Sequence, residues 1–134
     1  MRIQLSPLFV AVALLSGGCG APHLRQVHEA EQRLLGAEVE RLAHCVGEPL
    51  SITRSATDPG VTLRHYSSAQ RRGADGLLRA TPVPDPEDDA RACVFDIRVR
   101  DGRVVAIASD NRAGWGFGSI KRCSAVIGRC AGKG

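Results

Sequence analysis

Aromatic side chains are scarce in this chain: there are five in 134 residues, and only Tyr66, Phe95, Trp115 and Phe117 lie beyond residue 18. Aromatic rings supply much of the apolar area of small cores, so a core built on so few is thin and needs other support. Long hydrophobic runs are missing too. The longest, Leu8 to Leu15 (LFVAVALL), falls well short of the roughly 20 apolar residues that cross a bilayer, so no helix spanning a membrane is expected. There is no C-x-x-C and no Cys/His spacing of the metal-binding type, which argues against zinc. No G-x-x-x-x-G-K-[ST] or dinucleotide fingerprint occurs, and the glycine-rich stretch 111–119 (NRAGWGFGS) follows a hairpin rather than opening a βαβ unit. No cofactor is expected. Acids are absent from the C-terminal end: after Asp110 come Arg112, Lys121, Arg122, Arg129 and Lys133, with no Asp or Glu.

What is present begins at the N-terminus. Met1-Arg2, an apolar stretch and the small residues Ser16-Gly17-Gly18 read as an export signal over residues 1–18. Cleavage after Ala21 would put Pro22 behind the scissile bond, where its missing N–H and fixed φ make a poor substrate. Cleavage before Cys19 avoids this, and Leu15-Ser16-Gly17-Gly18-Cys19 resembles a bacterial lipobox. That resemblance implies that Cys19 becomes the new N-terminus, thioether-linked to diacylglycerol and N-acylated, for example by palmitate. Several acyl chains on one residue anchor a protein stably where one chain does not. The alternative is a plain secretory signal that leaves Cys19 as a free thiol.

Cysteine arithmetic favours the anchor. Five cysteines is an odd number; setting Cys19 aside leaves Cys45, Cys93, Cys123 and Cys130 as disulfide candidates in a chain bound for an oxidising compartment. Each of two bridges could add about 2–4 kcal/mol to a thin core. Ser119 can cap a last helix in which Ile120, Cys123, Ile127 and Cys130 share a face. Residues seven apart in a helix are separated by about 10.5 Å along its axis, beyond the roughly 7 Å Cα limit of a disulfide. If that helix is intact, Cys123 and Cys130 therefore do not pair with each other. Two connectivities stay open: Cys45–Cys123 with Cys93–Cys130, or Cys45–Cys130 with Cys93–Cys123.

Between these landmarks the chain reads as a tether (19–23) and a single α+β domain (24–134). Leu24, Val27, Leu34/Leu35, Val39, Leu42 and Val46 recur at helical spacing. Gly36 divides the run, and Gly47 with Pro49 ends a second helix placed at about 37–46. From Leu50 the period drops to two, with Asp58-Pro59-Gly60 turning between LSIT and VTLRHY. Residues 67–89, rich in Gly and Pro, are expected to form a long exposed loop. Its Asp85, Glu87, Asp88 and Asp89 lack the spacing of an EF-hand and read as a solvated charge run. The clearest β-signal is CVFDIRVRDGRVVAIAS (93–109), with Cys93, Phe95, Ile97 and Val99 on one face. A three-residue bulged turn at Asp101-Gly102 would set the bulky Val105 and Ile107 beside that face, and this is the register expected.

The stretches GAEVERLAHCVGEP (36–49) and FDIRVRDGRVVAI, with Tyr66 ending a strand, resemble the SmpA/OmlA family of small outer-membrane lipoproteins over roughly residues 30–109. The resemblance implies two N-terminal helices packed on one face of a three- to four-stranded antiparallel sheet. It also implies tethering to the periplasmic face of the outer membrane, and a scaffold role with envelope proteins in place of catalysis. The cysteine-bearing C-terminal helix is extra to that pattern.

The four histidines, His23, His28, His44 and His65, gather no constellation. A His44–Cys45 dyad fails because adjacent helical residues point about 100° apart, so no enzyme is expected. Trp115 and Phe117 are read as capping the core or, with Lys121, Arg122 and Arg129, as an interaction surface. In an envelope compartment such a basic surface suits anionic lipid headgroups, and nucleic acid is not an expected partner of an exported chain. The resulting expectation is a lipid-anchored, non-enzymatic module in outer-membrane assembly or envelope integrity. A soluble secreted inhibitor or binding protein on a similar scaffold is the alternative.

Overall fold

A computed structural model describes residues 21–114 and 119–132. Helices α1 (Ala21–Leu34) and α2 (Glu40–Cys45) precede strands β1 (Ser51–Arg54) and β2 (Val61–Ser67). A one-turn helix α3 (Pro86–Asp89), strands β3 (Cys93–Arg100) and β4 (Arg103–Asn111), and helix α4 (Ile120–Ile127) follow. A 3₁₀ turn, Gly128–Ala131, continues α4. The four strands form one antiparallel sheet in the order β1-β2-β3-β4. The expected α+β class is therefore observed, with all four strands present.

The core lies between the helices and one face of the sheet. Strand alternation sends Tyr66, Cys93, Phe95, Ile97, Val99 and Val104 to that face. Val27, Ala30 and Leu34 of α1, Leu42 of α2 and Ile120, Val126 and Ile127 of α4 meet them. Two members of the helical apolar pattern face water instead: Leu24 and Leu35 are about half exposed. Gln26 fastens α1 to the C-terminal segment, donating to the Gly128 carbonyl and accepting from the Ser124 hydroxyl. Tyr66 is fully buried, and loss of solvation pushes its phenol pKa up, with the Arg64 charge opposing the shift.

Both disulfides form, and the structure chooses between the two open connectivities: Cys45 pairs with Cys130, and Cys93 with Cys123. Cys130 sits in the 3₁₀ turn beyond α4, where it meets the end of α2, while Cys123 on α4 meets the first residue of β3. The last helix is thus stapled to both the helical layer and the sheet.

Five details differ from the sequence reading. Helix α1 begins at Ala21, within the stretch read as a tether. Helix α2 is shorter than expected, because residues 37–39 run along the sheet edge: Val104 N–H donates to Ala37 O and Val39 N–H to Gly102 O. Those backbone groups gain sheet partners in place of a helical turn. The β3–β4 hairpin has a two-residue turn, with Asp101 and Gly102 both at positive φ (51° and 73°), as a type I′ turn requires. The extra residue lies further on: Arg98 pairs with Ala106 and Val99 with Val104, so Val105 is bulged out. Val104 is consequently buried, Val105 is 47% exposed, and Ile107 packs against the core opposite Ile97. The bulge lets both Val104 and Ile107 point inward, which unbroken alternation forbids. Ser119 stands at the helix start, but its hydroxyl donates to Gly114 O and makes no cap.

The fifth difference concerns residues 67–89, which are not a wholly exposed loop. Leu78 is completely buried, and its backbone bonds to Val46 and Glu48. Gln70, 4% exposed, accepts from Ser67 N–H and donates to the carbonyls of Glu48 and Arg79. Close approach of Leu78 depends on Gly47: at φ 116° a Cβ there would lie 2.4 Å from the Leu78 carbonyl oxygen. Gly47 therefore both ends α2 and admits the loop. The acidic cluster is partly structural, since Asp85 caps α3 by accepting from Glu87 N–H.

Candidate functional site

The described basic residues of the expected interaction surface meet others that sequence reasoning did not group with them. Arg122 of α4 lines a cleft of about 490 Å³ together with Arg72, Arg91, Ser68 and Asp88. Ala69, Ala92 and Ala125 complete its lining, so no bulky side chain fills the space. A second cavity of about 420 Å³ shares Arg122 and Ala125 with the first and adds Lys121, Ser124 and His23. Arg122 is thus the wall between two adjoining recesses. Trp115 and Phe117, proposed as core cap or aromatic contact, lie outside the described residues, as do Cys19 and residues 1–18.

The arginines are held by carbonyl oxygens. Arg72 donates from Nη1 to Gly76 O and from Nη2 to Ala125 O, both at 2.8 Å, tying the 67–89 segment to α4. Arg122 donates to Arg91 O at 3.0 Å, and Arg129 to Asp75 O at 2.7 Å. A carbonyl orients a guanidinium without cancelling its charge. Four arginines elsewhere are paired with carboxylates: Arg79 with Asp75, Arg100 with Asp58, Arg103 with Glu38 and Arg112 with Asp89. Burial, with the Arg129 charge acting in the same sense, lowers the Arg72 pKa from its ordinary value. Positive charge has been gathered here against its own repulsion.

The Cys93–Cys123 bridge supplies the restraint. Arg91 precedes Cys93 by two residues and Arg122 immediately precedes Cys123, so the bridge ties together the chain segments that carry both guanidinium groups. Ser68, also in the cleft lining, accepts from Cys93 N–H, leaving its own hydroxyl proton free to donate. Next to it, Ser67 donates to Asp89, which also pairs with Arg112. Partial burial pushes the Asp89 pKa up, but these two hydrogen bonds and the Arg112 charge outweigh it and the net shift is downward.

A third cavity, of about 570 Å³, lies beside the other disulfide, lined by Glu38, Glu40, Arg41, His44, Cys45 and Arg129 among others. Its charges are mixed, and Arg41 is turned to the Cys130 and Gly132 carbonyls. His65 Nδ1 lies 2.7 Å from Asp96 Oδ1 across β2 and β3, a pairing that sequence order gave no means to see. Ser51 is the register partner of His65 on the other side. Among the described residues no hydrogen bond joins Ser51 to the ring, and the pair lies on the sheet face opposite the helices, outside every cleft named above. Among the described residues, no group of three or more His, Cys, Asp or Glu side chains could hold a metal ion. No helix among them is long and apolar enough to cross a membrane. No protein-family model, curated protein or solved structure matches the chain.

Proposed function

We propose that this protein is a lipid-anchored, non-enzymatic module of the bacterial cell envelope, held at the periplasmic face of the outer membrane through Cys19. In this reading it contributes an interaction surface to envelope assembly or integrity, as its resemblance to SmpA/OmlA-type lipoproteins suggests. The observation that carries the reading is the pairing of Cys45 with Cys130 and Cys93 with Cys123, which leaves Cys19, at the end of a leader-like stretch, as the only cysteine without a partner in those bridges. Position adds support. His23, which lines the basic recess, is four residues from Cys19, and four residues of chain reach at most about 14 Å. An acylated Cys19 would keep Lys121 and Arg122 close to the membrane, where each basic residue near an anionic surface contributes about 1 kcal/mol.

The test is membrane fractionation of the wild type and Cys19→Ala, with intact mass spectrometry of the mature chain. The wild type should sediment with membranes after a salt wash and carry acyl mass on Cys19, and the variant should be released. A variant that stays with the washed membranes refutes the anchor. An unacylated wild type recovered from the medium would select the secreted binding protein instead.

A further inference from the structure

We propose that the cleft between residues 68–72 and α4 binds a phosphate monoester, gripped by the guanidinium groups of Arg72, Arg91 and Arg122 and by the Ser68 hydroxyl. The cleft itself stands without the membrane reading; only the source of the ester rests on it.

Three observations lead to this ligand. First, three guanidinium groups from three different chain segments line one recess, and Asp88 is the single acid among its lining residues. Second, Arg72 and Arg122 are oriented through carbonyl oxygens, so their charges stay available to an incoming anion. The Cys93–Cys123 bridge ties the Arg91 and Arg122 segments together before any ligand arrives, so little ordering remains to be done on binding. Third, the space suits the ligand: about 490 Å³ with alanines between the charged groups accommodates a phosphate and part of its ester. A monoester carries close to two negative charges at neutral pH and offers three terminal oxygens. Guanidinium groups recognise such oxygens in pairs. A diester or a carboxylate brings one charge and two oxygens, and would leave donors of this site unused. The organic part of the ester has a way out along the adjoining recess under Lys121 and His23, which shares Arg122 and Ala125 with the cleft.

The full chain in detergent solution is titrated with glycerol 3-phosphate. The binding of the full chain carrying Cys19→Ala, which has no anchor, to phosphatidylcholine vesicles containing either phosphatidic acid, a monoester, or phosphatidylglycerol, a diester, is then measured. Arg91→Gln and Arg122→Gln should each weaken monoester binding about tenfold or more, the usual cost of losing a hydrogen bond to a charged group. Arg91 has no side-chain bond among the described residues, so its replacement leaves the fold intact. Asp88→Asn should strengthen binding, and Arg98→Gln, on the outer sheet face, should leave it unchanged. Binding to phosphatidic acid vesicles alone supports a lipid headgroup as the source. Binding to glycerol 3-phosphate alone supports a free ester, and binding to both supports the shared chemistry. The proposal is overturned if neither monoester probe binds, if phosphatidylglycerol vesicles bind as well as phosphatidic acid vesicles, or if both arginine variants bind like the wild type. The soluble titration does not involve Cys19, so its failure leaves the anchor intact, and loss of the anchor leaves the titration unaffected.

Discussion

Deleting the two disulfides one at a time should lower stability by similar amounts yet affect the basic cleft very differently. Cys93 and Cys123 are separated by 30 residues, and Cys45 and Cys130 by 85. The inner bridge lies within the outer loop and shortens it to roughly 56 residues. With the other bridge intact, the loop-closure relation assigns about 4.2 kcal/mol to the outer bridge and about 3.6 kcal/mol to the inner one. At a urea slope of about 2 kcal/mol per molar, either loss lowers the unfolding midpoint by about 2 M. Urea titration of Cys45→Ala/Cys130→Ala and Cys93→Ala/Cys123→Ala, followed by circular dichroism, measures this. Under conditions where both variants are folded, titration with glycerol 3-phosphate should separate them. The inner bridge lies beside Arg91 and Arg122, and the outer one joins α2 to the 3₁₀ turn, away from the cleft lining. The reasoning about chain entropy is refuted if both deletions cost less than about 1 kcal/mol. The reasoning about the cleft is refuted if the two variants lose the same affinity.

Two further outcomes probe places where the structure departs from the sequence reading. Val104→Ala should cost about 2 kcal/mol, since two methyl groups leave a buried site, whereas Val105→Thr at the bulge should stay within about 0.5 kcal/mol; paired thermal melts compare them. Leu78→Ala should cost about 3 kcal/mol if the 67–89 segment belongs to the core, and a loss below about 0.5 kcal/mol, as for a surface residue, would return it to the status of an exposed loop.

How much of the fold was legible depended on the range of the forces involved. The helix break at Gly36, the end of α2 at Gly47 and the Asp101-Gly102 turn are local: each needs a positive φ that glycine supplies, and Asp101 tolerates, within a few residues. The position of the bulge was not legible, because it depends on which of Val104, Val105 and Ile107 finds room across the sheet, and volume in a core is a property of many segments. Leu78 was missed for a related reason. The adjacent Leu77 and Leu78 in a Gly- and Pro-rich stretch carry no period, and the burial of Leu78 depends on Gly47, some thirty residues earlier, lacking a side chain.

The same division applies to the candidate site. Lys121, Arg122 and Arg129 stood out because no acid follows Asp110, a feature of composition alone. Arg72 and Arg91 did not, since each sits among acids and other arginines in the linear chain. Linear order also argued against a Cys123–Cys130 pair on the premise of one intact helix; α4 ends at Ile127 and Cys130 lies in the 3₁₀ turn, and the two still pair elsewhere. That premise left two connectivities, and only packing could choose. Where α4 gives way to the 3₁₀ turn, Cys130 meets Cys45 and Cys123 meets Cys93, and that second contact brings the Arg91 and Arg122 segments to one cleft. Local backbone chemistry is written residue by residue, whereas the meeting of distant charges is decided by how the layers pack.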